Sequence, residues 1–378
     1  MRSCVASATA TLGVLLLLSS TARAQGTGAA LDQYEPTAPG DSFFAVPSPY
    51  ARGHLVPRAL AYWDYASQPL KLTQNGTSAN VVGRQALLHL GASFTVQERL
   101  LIQLVLPVAV LQNGDSPTVS GAALTSPAKA EVGDLRVGVR VRIVGEDDDP
   151  FMLGVGMNLH LPTAPEGSLL GDGMLREAPQ VLMGGRFHAG IDFVWSAYAG
   201  AMIRASANPT TITYGAGFAA SLFQDTIQLG PEFFAATPVQ DATLSLSETV
   251  KIPANVATNA ELLFGARVRV IRGLMVGWAA GPGLTRAVGT PELRFVGSIG
   301  WSPGPTRPAA PPPGADTDGD GIADRFDACP YAHGPESKNP KKTGCPMVDD
   351  DEDGIANDED ACPNQYGHPS SDKKKNGC

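Results

Sequence analysis

Past its first 24 residues the chain has no run of eighteen apolar residues. The longest candidate, Leu100 to Leu111, is interrupted by Gln103 and Pro107 and is too short to cross a bilayer as a helix. Charge is also sparse, at 17% of 378 residues, and the Gly count of 42 and Pro count of 31 argue against a helical bundle. There is no G-x-S-x-G, no H-E-x-x-H and no nucleophile with a matched base, so no hydrolase or metalloprotease signature is present. His89, His160 and His188 are the histidines that could face an interior, and a lone inward histidine is more often a hydrogen-bonded filler than a catalyst. The expectation is a protein that is not an enzyme.

What the chain does have is alternation. In Leu135 to Val144, the residues Leu135, Val137, Val139, Val141 and Ile143 alternate with Arg136, Gly138, Arg140 and Arg142, which a β-strand places on opposite faces. Twelve such stretches follow one another: Ala59 to Tyr65, Arg84 to Ala92, Arg99 to Leu111, Leu135 to Val144, Phe151 to Leu161, Val181 to Ala189, Phe193 to Arg204, Ile212 to Phe223, Ile227 to Ala236, Glu261 to Val270, Leu274 to Gly281 and Glu292 to Trp301. The third holds Pro107, which cannot donate to a ladder and implies a bulge or a rim position. Connections after the second, fourth, sixth, eighth and tenth stretches are short, and those after the third, fifth and ninth are long. Short turns at one end, longer loops at the other and an even strand count are the pattern of a transmembrane β-barrel. A soluble β-sandwich has no reason to sort its loops in this way. The fold class read from this pattern is all-β, an antiparallel transmembrane barrel of about twelve strands, with ten to fourteen admissible. Trp63, Tyr65, Phe151, Trp195, Phe264, Trp278 and Trp301 fall on the apolar faces, where a barrel places aromatic girdles.

The rest of the chain divides by composition. Residues 1–24 read as a signal peptide, with Arg2, an apolar core through Leu15 to Leu18 and cleavage expected after Ala24. Residues 25–55 form an aperiodic leader, either tucked into a barrel mouth or lying on the surface. Residues 56–302 are the barrel, and residues 303–315 are so rich in proline that they form an extended spacer. Residues 316–378 carry fifteen acidic and seven basic side chains, which is most of the net charge of −9. Cations rather than nucleic acid are the expected partners there. All four cysteines of the exported chain, Cys329, Cys345, Cys362 and Cys378, lie in this tail, and their even number points to disulfides in an oxidising compartment.

Within the tail, Asp316-Thr-Asp318-Gly-Asp320-Gly321-Ile322 recurs 33 residues later as Asp349-Asp-Asp351-Glu-Asp353-Gly354-Ile355, and each copy runs on to Asp-Ala-Cys-Pro. Carboxylates stand at positions 1, 3, 5 and 12, glycine at 6, and Asp or Asn at 9. Such oxygens converge on a hard cation with six to eight ligands, which points to Ca2+; Mg2+ demands tighter octahedral geometry. No helical pattern flanks the loops, so they are not an EF-hand pair, and calcium with disulfides must hold so small a unit together. The tail resembles thrombospondin type 3 repeats. That resemblance implies metal ligation by the side chains of Asp316, Asp318, Asp320, Asp324 and Asp327 with the carbonyl of Ile322. In the second copy the ligands are Asp349, Asp351, Asp353, Asn357 and Asp360 with the carbonyl of Ile355, and Asn357, one charge short, weakens that site. Three disulfide connectivities are open; Cys329 to Cys345 with Cys362 to Cys378 closes two equal loops.

An exported barrel, a Pro-rich spacer and these repeats, in that order, together with Phe43-Phe44-Ala-Val-Pro-Ser-Pro49 and Tyr65-Ala-Ser-Gln-Pro-Leu70, are similar to one branch of bacterial OmpA-type outer-membrane proteins. The resemblance implies a Gram-negative outer membrane with the tail in the periplasm, where the cell wall or another envelope protein would be its partner. The C-terminal peptidoglycan-binding domain of that branch has no counterpart before Cys378. The expected function is an outer-membrane barrel, structural or a narrow pore, carrying a calcium-binding periplasmic stalk; the alternative is a secreted or surface-exposed calcium-dependent adhesin. Arg136, Arg140, Arg142, Arg186, Arg204, Arg267, Arg269 and Arg294 against Glu232, Glu261 and Glu292 would make an open lumen favour anions, unless these groups pair and plug it.

Overall fold

The computed structural model describes residues 30–303 and 316–378, apart from 75–76, 117, 120–121, 124–125, 127–129, 166–167, 205–208, 246–250, 255–256, 272, 325, 338–339, 341, 347 and 358. The signal peptide, most of the Pro-rich spacer and Asp358 of the second loop therefore lie outside the described residues. Two compact units emerge, one ending at Pro305 and the other beginning at Thr306.

The first unit is a closed antiparallel barrel of twelve strands. These are β1 (Val56–Gln74), β2 (Thr77–Val96), β3 (Leu100–Asn113), β4 (Leu135–Val144), β5 (Met152–Leu161), β6 (Arg176–Ala189), β7 (Ile191–Arg204), β8 (Thr211–Leu222), β9 (Ile227–Pro238), β10 (Asn259–Ile271), β11 (Leu274–Pro282) and β12 (Leu293–Trp301). Each pairs with its sequence neighbours, and β1 closes the cylinder by pairing with β12 as well as β2, so that Ala59 stands opposite both Trp301 and Ala92. Closure gives every strand of the cylinder two neighbours, so it has no free edge strand of the kind an open sheet of this size would present. All twelve stretches read from alternation are strands.

Two departures have local causes. Residues 66–74 and 77–83, outside those stretches, continue the pairing of β1 with β2 past a bulge between Ser67 and Lys71, where Pro69 cannot donate to the ladder. In β3 the pairing with β4 stops at Val105, just before Pro107, and a two-residue strand, Glu131–Val132, covers the next stretch.

The wall is inverted relative to a soluble protein. On β4, Val139, Val141 and Ile143 are 39–50% exposed, whereas Arg136, Arg140 and Arg142 are 5–6% exposed. Trp63, Phe264 and Trp278 also point outward. The lumen is then filled by the leader, which supplies the apolar core that the inward faces lack. Tyr34, Phe44 and Ala45 pack with Tyr62, Phe234, Leu263 and Val296, and Phe43 and Val46 pack with Val194 and Ala219. Glycine makes the space. A Cβ at Gly217 would stand 2.6 Å from the Phe43 ring, and one at Gly265 would stand 2.6 Å from the Phe44 ring. Burying each phenylalanine contributes about 1.5–3 kcal/mol. Of the two placements open for the leader, residues 30–51 take the one inside the barrel.

The second unit has no described helix or strand. Its loops are held by the disulfides Cys329–Cys345 and Cys362–Cys378, the pairing that closes equal loops. Matching backbone bonds run from Ala328 N–H to Thr343 O and from Ala361 N–H to Asn376 O, both 2.8 Å.

Candidate functional site: a plugged lumen and two acidic loops

Charged strand residues pin the leader. Glu232 on β9 accepts the backbone N–H groups of Phe44, Ala45 and Val46 at 3.0, 2.8 and 3.2 Å. Arg267 on β10 donates to the carbonyls of Asp41 and Phe43 at 2.5 and 2.6 Å and lies 4.3 Å over the Phe44 ring centre. Arg140 on β4 grips both oxygens of Asp41 at 2.8 Å. Arg294 on β12, fully buried, forks between Asp64, Glu261 and the leader's Asp32 at 2.7–3.0 Å. Further along, Arg136 pairs with Glu35 at 3.1 Å and donates to the Pro36 carbonyl.

Unregular backbone such as the leader is tolerated at this depth because its polar groups are met from the wall. Charge-assisted bonds of this kind are roughly twice as strong as neutral ones, and breaking one partner of a buried pair costs far more than its net worth. The arginines expected to make an anion path are thus largely spent: Arg136, Arg140, Arg142, Arg186, Arg204 and Arg294 each have an acidic partner. Glu292 is exposed outside β12, correcting its inward placement. Of the three histidines, His89 and His160 are inside, beside Asp64 and Glu35. His188 has the inward parity but sits at the rim, where its side chain is 70% exposed against Asp192. The leader's Asp32, Glu35 and Asp41, and Asp64 on β1, were not singled out from the sequence. An aperiodic segment gives no periodic signal, and only the surplus of inward arginines hinted that acids must come from elsewhere.

In the tail, carboxylate oxygens of Asp316, Asp318 and Asp320 lie within 4.8 Å of one another, as do those of Asp349, Asp351 and Asp353. Gly321 and Gly354, at φ of 88° and 86°, take the left-handed turn that lets alternate side chains converge. Gly321 N–H and Gly354 N–H bond back to Asp316 and Asp349 at 2.8 Å. The hydrogen bond from Gly321 N–H holds the Asp316 carboxyl below the usual carboxylate range. In the second loop, desolvation, joined by the charges of Asp353 and Asp360, pushes Asp351 up.

The position-9 residues fold inward onto their own loops. Asp324 accepts Thr317 N–H and Oγ1–H, both at 2.7 Å, and Asn357 accepts Asp350 N–H at 2.9 Å. Asp327 and Asp360 each accept the N–H of the following disulfide cysteine at 2.7 Å. Their other oxygens, with one each from Asp318, Asp349 and Asp351, are buried without a hydrogen-bond partner. Crowded carboxylates with orphaned oxygens fit a hard divalent cation, which would supply the missing partner and cancel the repulsion.

Residues 314–336 match the family model of the thrombospondin type 3 repeat. Comparison with curated proteins finds no match. Among solved structures, the chain is similar to an outer membrane channel from Pseudomonas putida F1, at 14% identity and a TM-score of 0.47, covering 70% of this chain and 98% of that one. It is also similar to the NanC porin, at 9% identity and a TM-score of 0.41 over 65% of this chain and 98% of that one. LpxR from Salmonella typhimurium gives 10% identity and a TM-score of 0.42 over 64% and 99%.

Proposed function

We propose that the chain is an outer-membrane β-barrel protein whose own leader keeps its lumen shut, and that it presents a calcium-binding stalk of thrombospondin type 3 repeats in the periplasm. The inverted wall of β4 carries the reading, with valines and isoleucine outward and arginines buried inward: apolar residues exposed in this way around a closed sheet match lipid hydrocarbon. Outer-membrane barrels turn their short connections to the periplasm. The turns at 97–99, 145–151, 190 and 223–226 share an end with the start of β1 and the finish of β12, so the chain would leave the barrel on the periplasmic side.

The division into signal peptide 1–24, leader 25–55, barrel 56–302, linker 303–315 and tail 316–378 belongs to this proposal, as does its place beside the OmpA-type proteins. In the tail, Asp316, Asp318, Asp320, Asp324 and Asp327 with the Ile322 carbonyl would hold one calcium set, and Asp349, Asp351, Asp353, Asn357 and Asp360 with the Ile355 carbonyl the other. The role is structural rather than enzymatic. Nothing in the geometry favours the adhesin alternative.

Planar-bilayer recording tests the barrel. The full chain gives silent membranes, and a chain lacking residues 30–51 conducts, because removing the leader empties the lumen. Steady conductance by the full chain would contradict a shut barrel. For the tail, calorimetry should show saturable calcium binding that Asp320→Ala weakens, and binding unchanged by that substitution would remove the proposed ligand set.

A further inference from the structure

Around Arg294 the lumen holds more negative charge than it neutralises. Asp32 from the leader, Asp64 from β1 and Glu261 from β10 all contact its guanidinium, so three carboxylates share one cation. Asp64 is 0% and Glu261 1% exposed, and an unbalanced charge in such a place is among the most costly things a fold can contain.

On the side of this cluster away from Glu261 stands His89 of β2, 4% exposed. Its Nε2 is 4.0 Å from Asp64 Oδ2, and one ligand atom each of Asp32, Asp64 and His89 lie within 4.8 Å of one another. His89 Nε2 and Asp32 Oδ2 are both buried with no hydrogen-bond partner. Orphaned atoms that can each offer a lone pair, gathered with Asp64 from three separate elements, are what a metal site looks like before the ion draws its ligands in.

We infer that Asp32, Asp64 and His89 form a binding site for a zinc-class divalent cation that fastens the leader to the barrel wall. One imidazole nitrogen with two carboxylates suits zinc better than calcium or magnesium, which take oxygen sets. Tetrahedral bonds of about 2.0–2.2 Å place ligand atoms roughly 3.4 Å apart, so the side chains need close by only a few tenths of an ångström to about 1.4 Å. A divalent ion also brings the sum of Asp32, Asp64, Glu261 and Arg294 to zero. A cavity of about 70 Å³ lined by Asp32 and His89 has room for water to complete the coordination and offers a way in. Arg136 borders the same cavity, but its charge is engaged by Glu35. The Tyr34 ring, T-shaped against that of His89 with centroids 5.9 Å apart, helps fix the imidazole.

The site is tested on the full chain refolded in detergent, stripped of metal and supplied with excess calcium so that the tail loops are occupied. Zinc is then titrated against a chromogenic chelator, and cobalt is added in a parallel sample for its visible absorption. The expected result is one zinc per chain, bound at least tenfold more weakly by both His89→Gln and Asp32→Asn, with the cobalt absorption lost in His89→Gln. Far-UV dichroism and heat-dependent gel mobility identify variants that retain the barrel; Asp32→Asn, the same shape as the native residue, serves if His89→Gln does not fold. No saturable zinc binding by the folded chain overturns the site, as does binding that either folded variant leaves unchanged.

Discussion

In the barrel, a buried carboxylate is met by an opposite charge or by backbone donors from a distant part of the chain: Glu232 is 188 residues from Phe44, and Asp64 is 230 from Arg294. In the tail, the carboxylates of Asp316, Asp318 and Asp320 face one another, and the donors they receive come from within five residues or, for Gly334 N–H on Asp320, from 14 residues away. Long-range pairing gives Glu232, Arg140 and Arg294 their partners from the barrel's own residues. Shorter-range pairing leaves the tail's clustered carboxylates without an opposite charge among the described residues, and its loops are held by two disulfides; on the proposed reading an ion completes it. The contrast follows from how much chain each unit can bury, since a segment of about sixty residues assembles only a marginal core and commonly adds a staple.

The sharpest way to separate the two units is to remove what only one of them needs. Chelating calcium and reducing Cys329–Cys345 and Cys362–Cys378 should abolish the tail's structure while leaving the barrel intact. Each disulfide closes a loop of 16 residues, worth about 3 kcal/mol. Limited proteolysis checks this: the tail should be digested within minutes and the barrel should persist, whereas a tail that survives both treatments would show a core of its own.

A large effect confined to the other unit is expected from Arg294→Leu. That change leaves Asp32, Asp64 and Glu261 facing one another and should destabilise the barrel by about 3–5 kcal/mol, read from urea unfolding in detergent. Calcium binding by the tail should be unaltered, and a loss there would mean that the units are not independent.

The smallest effect compares the two repeats themselves. Glu352 has φ of 58° where the first repeat has Gly319 at 77°, and a side chain in that left-handed region costs about 1–2 kcal/mol. Glycine's greater freedom in the unfolded chain takes back part of this, so Glu352→Gly should stabilise the second repeat by up to about 1 kcal/mol. Calorimetry should show its calcium affinity rising by up to about fivefold, and an unchanged or lower affinity would place the weakness of that loop elsewhere, as in Asn357.

The barrel was legible in the sequence because a strand records its two faces every second residue, so Leu135 to Val144 and Phe151 to Leu161 declare their inward and outward sides locally. The spacing of Asp316, Asp318 and Asp320 is equally local. The leader was not legible, since Tyr34, Phe43, Phe44 and Val46 pack against residues from strands throughout the barrel and follow no period. Signals existed in hindsight at lumen positions: Gly217 and Gly265 leave room for rings that no strand supplies, and the inward arginines outnumber the inward acids of the strands. His188 shows the opposite limit, because parity assigns a face but not whether that face has passed the rim.

The central claim is that the exposed apolar side chains of this barrel meet lipid. Trp63 and Trp278, each 56% exposed, report on it when the other two tryptophans, Trp195 and Trp301, are replaced by phenylalanine and the protein is placed in bilayers of bromine-labelled lipid. Strong quenching of both by bromine on the acyl chains is the predicted result. Fluorescence unaffected by those lipids, from a folded chain that stays dissolved without detergent, would contradict it.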